Sequence, residues 1–334
     1  MLPIQEGAFM LKKYMFNAVF TLLSAIFAAS LCAGGKAETV PAGKIPVAAT
    51  FDAMSELVKI AGQDKVYVRT VIPAGMEAHD FEPKTGDLKF LGQAKVVVSN
   101  GLGMEPWLEN AVKAVNNRQL LSICASDGIT PIKLTEEHHH HDGHGHEECD
   151  CGEDHHGHHH HHHHGDQDPH AWLSLESAKI MVNNIAAGLA KVDPANASFY
   201  EKNASAFSSE ADTLLAQYRE AFAQAPNKHF VTGHAAFGYL CRDFGLEQNS
   251  VEDVFSSGEP SAKQLANLTD YCNQYGIKTV FTETMASPQV SKTLAKEVGA
   301  SVEVIYTMEN AEDGLSYMER MKSNIEKIYK SVLK

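Results

Sequence analysis

A run of 27 residues, 138–164, holds 15 of the chain's 19 histidines; six acids, four glycines and two cysteines make up the rest. Nothing in it besides the thiols is apolar, so it contributes no core and is expected to be disordered without metal. Whatever folds must fold around it. The remainder has the means: the 334 residues are 44% hydrophobic and 21% charged, enough for two α/β domains of ordinary size. The tract is internal and broken by acids and glycines, unlike a purification tag. Many neutral imidazoles beside carboxylates offer weak, overlapping metal sites, and a pH sensor is the other reading, since histidine titrates near ~6.5. Cys149 and Cys151 can add soft ligands, but a one-residue spacing is not a structural zinc pattern.

Charge removes other classes. Lys plus Arg number 28 against 42 Asp plus Glu, a formal net of −14. Phosphate backbones and anionic lipid are both held mainly by Lys and Arg, so nucleic acid and membrane surfaces are excluded as partners of the folded part.

The N-terminus reads as a leader. Lys12 and Lys13 precede an apolar stretch, Tyr14 to Leu31, and small residues continue to Ala37. This is a secretory signal peptide over about 1–37. An uncleaved anchor is the alternative, because the stretch lies near the ~18-residue lower limit for a span. Met10, directly before Leu-Lys-Lys, competes with Met1 as the start, and acylation at Cys32 is disfavoured by the bulky Leu31. Export permits disulfides, and Cys241 with Cys272 is the pair to test, against two buried thiols.

From Lys44 the pattern alternates strand and helix. IPVAAT (45–50), VYVRTVI (66–72), KVVVS (95–99) and LLSIC (120–124) read as strands, with helices over 51–61, 85–91 and 105–115. The grammar repeats from Lys228, with strands at HFVT (229–232), TVFTE (279–283) and VEVIY (302–306). Helices are expected over 235–244, 261–275, 289–298 and 312–333. Such alternation predicts parallel sheets. Asp193 and Pro194 mark a helix start, Asp as N-cap and Pro at the first position. From Ala195 to Gln224 there is neither glycine nor proline, which suits a rigid helical strut. The expected organisation is an N-terminal α/β lobe over 44–192, a linker helix over 193–224 and a C-terminal α/β lobe over 228–334.

Three single histidines stand in distinctive settings. His79 lies in PAGMEAHDFEP (73–83) after a strand, His170 in QDPHAWLS (167–174) before a helix, and His234 in VTGHAAFGYL (231–240) after a strand. Ligands gather beyond the carboxyl ends of parallel strands. Three imidazoles meeting there could hold a zinc at ~2.0–2.1 Å. Singly, each is as well read as a hydrogen-bonded structural residue; together, beside a metal-binding tract, they point to a metal.

GMEAHDFEP (75–83), NGLGMEPWLENAV (100–112), DPHAWLS (168–174), GHAAFGYL (233–240) and SSGEPSAKQL (256–265) occur in this order. From about Lys44 onward the chain resembles the substrate-binding proteins of zinc and manganese ABC importers, cluster A-I, and above all the periplasmic zinc-uptake type. The resemblance implies two lobes joined by one long backbone helix, with metal held between them by His79, His170 and His234. It also implies a monomer that delivers Zn²⁺ to a cognate inner-membrane permease. The tract before DPHAW resembles the insertion of zinc-specific members. Relatives often carry a carboxylate as fourth ligand near the C-terminus, where counting along VEVIYTME (302–309) places Tyr306. Glu309, Glu77 or water are the other candidates.

Manganese-type members replace the third histidine by Glu, whereas His234 is present here. Imidazole suits zinc, and zinc exceeds manganese in the Irving–Williams order. Asp168 can accept a hydrogen bond from a ligating imidazole, or cap the next helix. Trp107 and Trp172 are expected in lobe cores, and Glu283 as a salt-bridge or hydrogen-bond partner near the cleft. The rival functions are a zinc buffer or metallochaperone built on the tract, a manganese-specific carrier, and a zinc hydrolase. The last lacks HExxH and any base at recognisable spacing from a ligand.

Overall fold

The computed structural model describes residues 40–79, 81–134, 166–255, 260–283, 288–311 and 313–334. The expected leader and the histidine tract, with Cys149 and Cys151, lie outside the described residues. Residues from Gly43 to Lys334 form one compact unit.

Among the described residues, eight strands make two parallel four-stranded sheets. β1 (Ile45–Ala49), β2 (Val66–Thr70), β3 (Val96–Ser99) and β4 (Leu121–Cys124) run in the order β2-β1-β3-β4. β5 (His229–His234), β6 (Glu247–Glu252), β7 (Thr279–Thr282) and β8 (Ser301–Val304) repeat that order as β6-β5-β7-β8. β1 is buried along its whole length, as a central strand covered by helices on both faces must be. In both sheets the first strand is central, so the connections leave to opposite sides of it. That is the switch point where doubly wound sheets open a crevice at their carboxyl ends.

The helices bury the stripes their sequences announce. α1 (Asp52–Gly62) sinks Met54, Leu57, Val58 and Ala61, the spacing of one helical face. α2 (Thr85–Leu91) and α3 (Leu108–Val115) complete the first lobe, and α4 (Leu175–Val192) lies across it. α5 (Ala197–Gln224) is the long joining helix, 28 residues and about 42 Å at 1.5 Å per residue. Its buried stripe includes Tyr200, Phe207, Leu214 and Phe222. With that stripe it packs on α1 and α4, and on α6 (Gly238–Phe244) and α9 (Tyr317–Val332). α7 (Ala262–Gln274) and α8 (Pro288–Glu297) flank the second sheet. One hydrophobic core runs through both lobes, and a smaller cluster around Val231, Leu268, Val280 and Leu294 underlies β7.

The joining helix starts where Asp193 and Pro194 suggest: Asp193 is the N-cap and Pro194 opens a 3₁₀ turn, Pro194–Asn196, that runs into α5. Asp193 also closes α4, and its carboxylate accepts from Asn196 Nδ2 and Tyr200 Oη, both at 2.7 Å. α3 begins three residues later than expected because the Glu105 carboxylate is committed to Thr50 Oγ1, Asn100 N and Gly101 N. β6 has no counterpart in the sequence reading. Cys241 and Cys272 are separate buried thiols, not a disulfide. Trp107 and Trp172 are buried, as core residues should be. Among the described residues no helix is long and apolar enough to cross a membrane.

Candidate metal centre

His234 is the last residue of β5, placed at the carboxyl edge of the second sheet by pairing opposite Glu252 of β6. Its backbone N–H donates to Glu283 Oε1 at 3.2 Å. Glu283, just beyond β7, is buried, and its Oε2 makes no hydrogen bond among the described residues. Burial pushes its carboxyl up to about 7. Gly233 lets the Glu283 carboxylate come this close, since a Cβ there would stand 1.9 Å from Glu283 Oε2. Glu283 is thus a hydrogen-bond partner of the ligand strand, as the sequence suggests, and it acts on the backbone.

His170 sits fully buried on the loop before a 3₁₀ turn, Ala171–Leu173. Asp168 Oδ1 accepts from His170 N at 2.9 Å and lies 2.8 Å from His170 Nδ1. With Nδ1–H donating there, Nε2 is left with its lone pair facing the site, the arrangement that ligating imidazoles need. Asp168 does not cap α4; Ser174 does, accepting from Ser177 N. Burial raises the Asp168 carboxyl to about 7. Desolvation drives His170 and His234 well below the ordinary histidine value, so both rings are neutral near pH 7.

His79 lies on the loop between β2 and α2 and is half-buried. The chain leaves β2 with two more sheet bonds, Val71 N to Ala49 O and Ile72 N to Thr50 O, then turns through Gly75, whose φ is +83°. The fourth group is Glu309, buried on the loop between β8 and α9.

One ligating atom from each of His79, His170, His234 and Glu309 lies within 4.8 Å of all the others. The two facing Nε2 atoms of His170 and His234 are 3.2 Å apart, and His170 Nε2 is 3.9 Å from Glu309 Oε1. Ligands at about 2.1 Å from a tetrahedral zinc stand about 3.4 Å from one another. The set therefore needs to contract by at most about 1.4 Å at its widest.

The other candidates for a fourth group point elsewhere. Tyr306, where counting along the sequence puts it, donates its hydroxyl to Asp313 Oδ2 at 2.6 Å. Glu77 turns back on its own loop, accepting from Ala78 N at 3.0 Å. Glu309 stands beyond the carboxyl end of β8 as His234 stands at that of β5, and this strand logic is the signal that could have selected it. Sequence reasoning also passed over Asn100, whose Nδ2 donates to Pro169 O at 2.8 Å and anchors the His170 loop.

The profile of the periplasmic zinc-uptake complex component A family matches residues 47–331. A protein of Treponema pallidum (strain Nichols) is 41% identical over 95% of this chain and 97% of its own length. The high-affinity zinc uptake system protein ZnuA of Bacillus subtilis (strain 168) is 37% identical over 87% of this chain and 88% of its own. A crystal structure of ZnuA superposes with a TM-score of 0.71 at 29% identity, covering 86% of this chain and 99% of that one. The same two parallel sheets, the joining helix and nearly the whole described length fall within these matches, and the chain belongs to the zinc-uptake complex component A family.

Proposed function

We propose that this chain is the zinc-capturing component of an ABC importer. It is exported to the periplasm, holds Zn²⁺ through His79, His170, His234 and Glu309, and delivers it to a membrane permease. The observation that carries the reading is the largely buried group of three imidazoles and one carboxylate, drawn from four separated segments of the chain, with its ligating atoms within 4.8 Å of one another. Three nitrogens and one oxygen suit zinc, whereas manganese favours carboxylate-rich sets.

A hydrolytic zinc keeps one position open for water. Four protein ligands close that position, which favours carrying over catalysis. The histidine tract serves as a second, weaker tier that gathers ions for the buried group. A tract of His, acids and Gly with no core-forming residues pays ordering entropy when it binds, and that costs affinity.

The test is a chelator-competition titration of the leaderless chain with Zn²⁺ and with Mn²⁺. The expected result is one tight zinc per chain, abolished by His170→Ala, plus weaker ions lost on deleting residues 138–164. A single uniform class of sites that survives the first change would overturn the carrier reading. Tighter manganese than zinc would reassign the cargo.

A further inference from the structure

We infer that Tyr239 is a positioning residue of the metal centre, holding His170 in register with His234 through the backbone of Asp168. This rests on the metal-binding reading above and goes beyond its four ligands. Tyr239 is on α6, five residues after His234, and is wholly buried. Its hydroxyl donates to Asp168 O at 2.8 Å and accepts from Ile132 N at 3.1 Å. Ile132 and Asp168 are themselves joined, Asp168 N donating to Ile132 O at 2.9 Å. One phenol from the second lobe therefore closes the pair of first-lobe segments that carries the His170 loop.

The surroundings hold the phenol to that task. The Arg242 guanidinium lies 4.8 Å over its ring and donates to Thr130 O at 2.8 Å, gripping the same segment two residues upstream of Ile132. Gly238 lets the helix come close: a Cβ there would stand 2.8 Å from Asp168 Oδ2. Asp168 then passes the constraint to His170 through both the backbone N and ring Nδ1.

The consequence is a mechanical link between two ligands whose Nε2 atoms face each other at 3.2 Å. β5 fixes where His234 ends, and the link runs from α6, which follows it, through the Tyr239 hydroxyl to Asp168 and the His170 ring. Losing the hydroxyl leaves Asp168 free to shift along the helix face, and the imidazole it orients turns with it. Partners that orient a ligating imidazole commonly matter 10- to 100-fold for metal affinity, and Tyr239 stands one bond further out.

The experiment uses the full chain and its Tyr239→Phe variant, loaded with less than one equivalent of Co²⁺ so that the tightest site fills first. Its readouts are the d–d absorption bands, zinc affinity by chelator competition and the thermal melt of the metal-free protein. The expected result is a folded variant whose cobalt bands shift and whose zinc affinity falls about tenfold. Bands and affinity equal to wild type, with only a lowered melt, would make the phenol purely structural and overturn the inference. Should the Phe variant not fold, Gly238→Ala presses on the same carboxylate with the phenol intact. Shifted bands there support the link, and unchanged bands overturn it. A wild-type chain that binds neither ion overturns the metal-binding reading itself, and this inference with it.

Discussion

Glu309 reaches the histidines because the residue before it bends the wrong way for an L-amino acid. Met308 is fully buried with φ +60°, a conformation that costs a non-glycine residue about 1–2 kcal/mol. The bend is held from the other lobe: Ala53 N donates to Met308 O at 2.9 Å, and Trp172 Nε1 to Thr307 O at 2.7 Å. Nothing in Thr-Met-Glu announces such a turn, as a glycine or asparagine would. Counting along an extended strand therefore lands on Tyr306, while the three histidines were legible from their motifs. Glu309→Gln is expected to weaken zinc at least tenfold and Tyr306→Phe to leave it within about twofold, measured by competition titration. Proton competition is set by burial. Burial holds His170 and His234 well below the ordinary histidine value of 6.5, so between pH 7.5 and 6 these two candidate ligands are expected to stay neutral. Histidines at their reference value of ~6.5 become mostly charged over the same range. Titrations at both pH values should show the weak ions leaving first. Loss of both classes together would contradict it.

At the scale of elements, legibility tracked apolar and β-branched composition. β1 (IPVAA), β3 (VVVS) and β7 (TVFT) read as strands at sight, as does half-exposed β8 (SVEV). β6 is Glu-Gln-Asn-Ser-Val-Glu at the edge of its sheet, mostly half-exposed. Edge strands carry polar residues to discourage pairing with other chains, so β6 shows no apolar pattern to find. The loop carrying His79 is the element with most to gain from outside support. Asn310, next to Glu309, supplies some: its Oδ1 accepts from Gly75 N at 2.7 Å, and its Nδ2 faces Met76 O at 3.4 Å. The side chain ties the loop of one candidate ligand to the loop of another. Asn310→Ala is expected to speed amide exchange over 75–79 and weaken zinc severalfold, with about 1 kcal/mol lost from the metal-free fold. Unchanged exchange at Gly75 would show that the loop is held by other contacts.

For the whole molecule, the alternation of strand and helix in both halves was legible as repeated grammar, whereas the strand order and the edge strand β6 were not. The single core joining the halves was not, because no local pattern records which helices meet. Asp243 of α6 shows how they are joined. It accepts from Ser174 Oγ at 3.0 Å and Glu176 N at 3.3 Å at the start of α4, while Arg219 of α5 donates to its carbonyl. Burial raises its carboxyl to about 6. A carboxyl raised in the fold binds its proton more tightly there than in the unfolded chain. Its contribution to stability is therefore present below about pH 4 and lost as pH rises through about 6, a change on the order of 3 kcal/mol. Melts of wild type and Asp243→Asn across pH 4 to 7 should show the wild type losing ground to the variant with rising pH. A constant gap would mean that Asp243 titrates normally.

The four candidate ligands come from four segments, successive ones roughly 60 to 90 residues apart along the chain. An ion bound there fastens the polypeptide as a cross-link does, closing three long loops at a single knot. At a free concentration a hundred times its dissociation constant, such an ion adds about 2.7 kcal/mol to the fold. No fragment of the chain retains the knot, since each piece keeps only some of the threads. The cargo is also a rivet, and whatever unloads this protein must loosen it.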